Sequence, residues 1–133
     1  MFPIGDDDVR EAGPSIVTTA LVVMNLAAFI AQVTLSRPGL RQFFDQYGVV
    51  PVHIMDGERL HKLFTSVFLH GGWFHLISNM LFLWIFGDNV EAALGKLIFP
   101  VFYVAGGLVA SLTHVLVNPA SSLPSVGASG AIG

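Results

Sequence analysis

Three long stretches of the sequence contain no Asp, Glu, Lys or Arg: residues 12–36, 63–87 and 97–133. Each is long enough to cross about 30 Å of hydrocarbon, which takes roughly 20 helical residues. A backbone in lipid must satisfy its own hydrogen bonds, so we expect helices here, and no stretch shows the alternation of a membrane-barrel strand. The pattern predicts an all-α, multi-pass integral membrane protein built as a helical bundle.

The composition excludes several other classes of protein. Hydrophobic residues make up 53% of the 133 residues and charged residues 11%, against about 25% charged residues in soluble domains. So few charges cannot cover a small water-soluble domain, form a disordered tail or present a basic surface to nucleic acid. With no cysteine, the chain has no disulfide, thiolate nucleophile or zinc–thiolate site. The partner that this composition implies is the lipid bilayer.

Prolines, glycines and charges divide the chain into three full spans and the start of a fourth. The predicted spans are 15–35, 73–86 and 97–116, and the second continues into the charged residues that follow it. We expect the first span to end at residues 37–39, where an arginine is followed by proline and glycine. Residues 127–133 look like the beginning of the fourth helix.

The domain organisation follows from these spans. We predict one membrane domain, 1–133, with a short polar N-terminal segment, 1–14, and a long connection, 37–72. Helix–helix connections usually have about 2–8 residues, and this one is rich in aromatic side chains, so we expect short helices at the membrane interface. It carries four basic residues against two on the opposite side. A positive-inside count would therefore place it in the cytoplasm.

Polar side chains interrupt the second span, where they are costly and often mark function. His75 and Asn79 follow His70 and are four residues apart, so a helix places both on one face, one turn from each other. Both can donate a hydrogen bond to a developing oxyanion. The alternative is that they hold this helix to a neighbour, as polar residues commonly do in membrane bundles.

A serine lies between glycines at the predicted start of the fourth helix, in Gly127-Ala128-Ser129-Gly130. The glycines leave its hydroxyl accessible, and a helix N-terminus adds unpaired N–H groups that can stabilise an alkoxide or an oxyanion. The alternative is that these small residues only allow close helix packing. The motif is not the nucleophile elbow of α/β-hydrolases, because Ala131 replaces its last glycine.

Other residues have structural interpretations. We expect Glu91 to be a cap or hydrogen-bond anchor at the membrane edge, and His114 to be a packed or interface residue near the end of the third span. We expect His53 and His61 to lie on the surface of the connection. Gly107 begins a small-xxx-small pair, which lets a neighbouring helix approach closely.

Residue types also limit the ways in which a membrane protein of this kind could cut a peptide. A metalloprotease needs an H-E-x-x-H motif, which is absent from the sequence. An aspartyl enzyme needs two aspartates in the membrane, and only Asp88 lies near the spans. Of the three mechanisms, serine catalysis is the one for which the sequence offers suitable residues.

Three motifs in this order resemble the rhomboid family of intramembrane serine proteases. They are LFTSVFLHGGWFHLISNM at 63–80, GDNVE at 87–91 and GASG at 127–130. The resemblance implies a six-helix core of which this chain is the N-terminal part. It also implies endopeptidase activity on transmembrane protein substrates, with no metal or cofactor.

The resemblance assigns roles to individual residues. Ser129 falls on the nucleophile of the family's GxSG motif, and His75 and Asn79 fall on its oxyanion-hole residues. His70 falls on a histidine that orders the site, and Glu91 on a structural glutamate. The resemblance also places the connection 37–72 outside the cytoplasm and half-buried in the membrane, and we prefer this to a count that differs by two charges.

The sequence departs from the family in two places. His61-Lys62 stands where the family usually has a Trp-Arg pair, which puts the anchoring of the connection in question. The chain also ends four residues after Ser129, before the helix that would carry the general-base histidine. We therefore expect a truncated form that is inactive alone, since a serine hydroxyl without a base is a poor nucleophile. Serine-dependent cleavage by the 133-residue chain, lost in Ser129→Ala, would contradict this.

Two alternatives of other classes remain. One is a non-proteolytic rhomboid-like protein that binds membrane clients, although such a protein has no use for an oxyanion hole. The other is a small transporter subunit, which is weakly supported because the spans contain no relay of acidic or basic residues.

Overall fold

The computed structural model describes residues 15–127, and those residues form helices joined by short turns. The N-terminal segment 1–14 and most of the predicted start of the fourth helix, including Ser129, lie outside the described residues. The helices are α1 (Ile16–Val33), α2 (Arg37–Tyr47), α3 (Pro51–Met55), α4 (His61–Thr65), a 3-10 helix (Ser66–Phe68), α5 (Trp73–Leu94) and α6 (Ile98–Val117). The all-helical prediction is confirmed for this part of the chain.

The three long helices lie where the spans were predicted. α1 and α6 agree with the predicted bounds to within two residues, and α5 begins at Trp73. α1 and α6 are long and apolar enough to cross a membrane. α5 has 22 residues but is less apolar, because it continues past Asp88 and Glu91. The number of spans therefore stays a prediction.

The end of α1 differs from the prediction. α1 ends at Val33, and residues 37–39, expected to terminate it, instead form the first turn of α2. Ser36 caps α2 by accepting a hydrogen bond from the Gly39 N–H at 3.3 Å. Pro38 is tolerated in this turn because its missing N–H has no intrahelical partner to lose.

α1 and α5 pack against each other as an antiparallel pair with polar residues inside. The buried face of α1 follows a spacing of three and four residues and consists of Thr18, Leu21, Asn25, Phe29 and Gln32. Three of these five side chains are polar. The exposed face of α5 is apolar instead, with Phe74 exposed by 87% and Trp84 by 64%. So many large exposed apolar side chains are unusual for a water-soluble domain.

α6 packs mainly against the connection between the first two long helices. A methyl group on Gly107 would lie 2.6 Å from Cγ2 of Val67 in the 3-10 helix, so only glycine allows this approach. Gly107 therefore allows close approach of the connection 37–72 to α6, through Val67. Nearby, Val115 of α6 joins Val49 and Ile54 in a second small core.

The connection folds into short helices, as predicted, and its own side chains hold it together. Lys62 is buried, and its ammonium group donates a hydrogen bond to the Asp45 carbonyl at the end of α2. Burial lowers the pKa of Lys62, and the nearby Arg59 lowers it further. The Thr65 hydroxyl donates to the Tyr47 carbonyl at 2.7 Å. Lys62 thus anchors α4 to α2 in the position where the family usually has arginine.

The histidines of the connection differ from each other. His61 is exposed, as predicted for a surface residue. His53 is only partly exposed, and its Nδ1 atom is buried. The prediction of a surface position holds only in part for His53, because one ring nitrogen is turned inward.

Candidate functional site

The polar face predicted for the second long helix is present at the start of α5. His75 and Asn79 both lie in α5 one turn apart. Asn79 is 7% exposed, and its Nδ2 donor is buried with no hydrogen-bond partner among the described residues. His75 is half-buried, and its Nδ1 atom accepts a long hydrogen bond of 3.4 Å from the Gly71 N–H. This face therefore carries an unused, buried hydrogen-bond donor, which is costly unless a ligand or reacting group engages it.

His70 lies directly before this face and contacts it. Its ring is completely buried, meets the His75 ring at a centroid distance of 5.3 Å, and leaves both ring nitrogens without a partner among the described residues. Burial, together with a smaller effect of the neighbouring His75, lowers the pKa of His70 to about 4. His70 is therefore neutral near pH 7 and packs as an aromatic ring.

Sequence reasoning missed Gln32, which reaches this region from α1. Its amide makes two hydrogen bonds to the backbone of His70. A signal was available, because Gln32 and Asn25 are the two amide side chains within α1 and stand seven residues apart. That spacing places them on one helix face.

Backbone hydrogen bonds to the connection fix the chain segment that leads to Ser129. Val49 and Ser125 exchange two backbone hydrogen bonds of 2.9 and 2.7 Å in an isolated β-bridge. The Gly127 N–H then donates to the Ser66 carbonyl at 3.2 Å. The connection thus sets the path of the backbone up to two residues before the predicted nucleophile.

This segment passes close to the start of α5. A methyl group placed on Gly71 would lie 3.8 Å from Nδ1 of His75 and 3.9 Å from Cγ2 of Val126. One methyl group at this position would be in van der Waals contact with both side chains, so Val126 lies close to the His75 ring. The structure brings His75 close to the approach to Ser129, with Asn79 one helical turn further along α5, while Ser129 itself lies outside the described residues.

A cavity of about 190 Å³ adjoins the same segment. Its polar lining comes from Ser66, Ser111, His114 and Ser125, and it reaches Gly127. His114, predicted to be a packed or interface residue, is half-buried and faces this cavity. Hydroxyl and imidazole groups are typical partners of bound water. Residues 15–127 contain no group of three or more His, Cys, Asp or Glu side chains that could hold a metal ion.

Glu91 lies at the opposite end of α5, about 24 Å from His75 along the helix. Its carboxylate accepts hydrogen bonds from the Val17 N–H at 3.1 Å, from the Thr18 N–H at 2.8 Å and from the Thr18 hydroxyl at 2.9 Å. These are first-turn donors of α1, and Ser15 makes no side-chain cap there. The prediction that Glu91 is a hydrogen-bond anchor is confirmed.

Comparison with known proteins agrees with the sequence motifs. The family model of the Rhomboid domain matches residues 57–133. The chain is 32% identical over 113 residues to Rhomboid-like protein 11, chloroplastic, of Arabidopsis thaliana, covering 84% of this chain and 37% of that protein. It is 41% identical over 71 residues to Rhomboid protease GluP of Bacillus subtilis, covering 53% and 13%.

The chain therefore spans little more than a third of the chloroplast relative and about an eighth of the bacterial one. RHOMBOID-like protein 1 of Arabidopsis thaliana is 41% identical over 79 residues, which are 59% of this chain and 20% of that protein. No solved structure matches the chain.

Proposed function

The chain belongs to the rhomboid family, and on this premise we propose that it carries the nucleophile and oxyanion hole of an intramembrane serine endopeptidase. The observation that carries the proposal is the face formed by His75 and Asn79. It holds a buried donor without a partner among the described residues and lies beside the segment that leads to Ser129. A residue that served only to join helices would have its donor paired with a neighbour.

In the proposed reaction, Ser129 attacks the carbonyl carbon of a transmembrane protein substrate. The family resemblance assigns His75 to the oxyanion hole, so we propose that a histidine from the rest of the protein takes the serine proton. His75, Asn79 and the backbone N–H of Ser129 stabilise the negative charge on the tetrahedral intermediate. The same histidine then protonates the leaving amine, and a water molecule hydrolyses the acyl-enzyme. The reaction uses no metal or cofactor.

We further propose that α1, α5 and α6 all cross the membrane. At about 1.5 Å per residue, the 22 residues of α5 span roughly 33 Å, which matches the hydrocarbon thickness. The large apolar side chains that α5 exposes would face lipid, while Glu91 faces the first turn of α1. The connection 37–72 would lie at the outer interface, as the family resemblance implies.

A serine-directed probe tests this function on the full-length protein. A fluorophosphonate should label wild-type protein at Ser129, and Ser129→Ala should abolish labelling and cleavage of a transmembrane substrate. Ser78→Ala is the matched control, because the Ser78 hydroxyl bonds only to carbonyls of its own helix at 2.9 and 3.1 Å among the described residues. Folded wild-type protein that is never labelled would contradict the protease and favour the client-binding protein.

A further inference from the structure

The last turn of α1 holds the backbone just before α5 through the side chain of Gln32. The amide nitrogen donates to the His70 carbonyl at 2.6 Å, and the amide oxygen accepts from the His70 N–H at 3.2 Å. Gln32 is 2% exposed and His70 is not exposed. His70 lies between the 3-10 helix and α5, where no helix supplies its backbone with partners, so these two bonds satisfy groups that would otherwise be buried and unpaired.

The same end of α1 also supports the ring of His70. Phe29, three residues before Gln32, meets the His70 ring edge-on at a centroid distance of 6.4 Å. It also meets the ring of Trp73, the first residue of α5, at 4.8 Å. The opposite contact of the His70 ring is His75, at 5.3 Å. A continuous chain of contacts therefore runs from the end of α1 through His70 to the oxyanion face.

We propose that Gln32 is a positioning residue for this site: its amide fixes His70, and His70 in turn fixes the imidazole of His75. The catalytic part of this inference rests on the proposed protease function. Gln32 touches no reacting group and acts only through His70. An amide suits this position because it donates and accepts at once, whereas a carboxylate only accepts and an ammonium only donates.

The expected effect follows from geometry. Without the two hydrogen bonds, the backbone at His70 is free to shift, and the His75 ring loses its fixed neighbour. A misplacement of about 1 Å at a reacting centre can cost on the order of 100-fold in rate. Gln32→Met keeps the length of the side chain but removes both bonds. We expect it to lower the maximal rate of Ser129 acylation by roughly 10- to 100-fold, with little change in the probe concentration needed for half-maximal rate.

Asn25→Leu is the matched control for loss of stability. Asn25 is the other buried amide of α1, on the same face, and it bonds to the Leu21 carbonyl at 2.8 Å and the Tyr103 hydroxyl at 3.1 Å, away from His70. Rates are compared at a temperature where both variants are folded. Asn25→Leu should retain the wild-type rate within about two-fold. Equal losses in both variants, or no loss in Gln32→Met, would overturn the inference.

Gln32→Glu adds a second measurement, the pH dependence of the acylation rate, which should not change if Gln32 has only a structural role. A protonated carboxyl group has one O–H donor and one carbonyl acceptor, so it can reproduce both bonds to His70, whereas a carboxylate cannot donate. We expect the acylation rate of this variant, relative to wild type, to recover at low pH and to fall as the pH rises and the glutamate ionises. A constant ratio across pH would contradict the inference.

The inference and the proposed function can fail separately. If wild-type protein is not labelled at Ser129, the protease proposal fails. The effect of Gln32 on His75 through His70 is then measured by the NMR signals of the His75 imidazole. These should change in Gln32→Met and stay unchanged in Asn25→Leu, and identical spectra in all three proteins would overturn the positioning of His75 by Gln32.

Discussion

Both ends of the α1–α5 pair contain buried polar side chains, but the two ends differ in how many of the buried polar atoms have hydrogen-bond partners. At the end formed by Glu91, one carboxylate accepts three hydrogen bonds from the first turn of α1. At the other end, Asn79 and His70 keep buried polar atoms without partners among the described residues. Buried polar groups are usually paired. On the proposed function, the difference separates a group that holds the fold from groups that are available for chemistry.

The largest expected effect is on stability, at the Glu91 end. Glu91→Ala leaves three donors of α1 unpaired, at about 1–3 kcal/mol each, so the free energy of unfolding should fall by on the order of 4 kcal/mol. Reversible unfolding of the full-length protein in mixed micelles measures it. Glu91→Gln keeps one acceptor oxygen and should lose less. Ser129 labelling of the folded fraction should stay at the wild-type level, and an equally stable Glu91→Ala protein would remove the contrast between the two ends.

The next effect is on rate, at the opposite end. Asn79→Leu removes a donor that has no partner among the described residues, so the free energy of unfolding should change by less than about 1 kcal/mol or should increase. Loss of one oxyanion donor typically lowers the rate by about 100- to 1000-fold. Stopped-flow or gel-based labelling of Ser129 measures this rate. A strongly destabilised Asn79→Leu protein with normal labelling would show that Asn79 is a packing residue like those at the Glu91 end.

A third expected effect is a pH dependence of stability that arises at the His70 end. The pKa of His70 is about 4 in the folded protein and has its ordinary value of 6.5 in the unfolded chain. Between these values the unfolded chain binds more protons. Stability should therefore decrease as the pH falls from about 7 to about 4, in unfolding curves measured across pH. His70→Phe should flatten this decrease and His61→Gln should not; an unchanged slope in His70→Phe would assign the dependence to other groups.

The long helices could be predicted from sequence because lipid leaves the backbone few alternatives. The bounds of α1 and α6 agree with the predicted spans 15–35 and 97–116 to within two residues. Glu91 could be identified as an anchor because an acidic side chain at the edge of a span needs hydrogen-bond donors. Its partner Thr18 could not be identified, since nothing local to either residue encodes a contact between positions 73 residues apart.

The site could be predicted only in part for the same reason. The spacing of His75 and Asn79 fixes their shared face, which is a local property of one helix. The hydrogen bonds of Gln32 to the His70 backbone join residues 38 positions apart, and the packing of Val67 against Gly107 joins residues 40 positions apart. The burial of Lys62 also depends on where α2 ends, which is a feature of tertiary structure. A search for amide side chains in the spans, in addition to charges, would have found Gln32.

The β-bridge between Val49 and Ser125 has a mechanical consequence. Two short hydrogen bonds couple the segment that leads to Ser129 to the core formed by Val49, Ile54 and Val115. Thermal displacement of this segment is therefore limited by the stiffness of packed helices and not by that of a free strand end. A force that pulls on the connection at Val49 is therefore transmitted directly to the backbone of Ser125, four residues before Ser129 in the sequence.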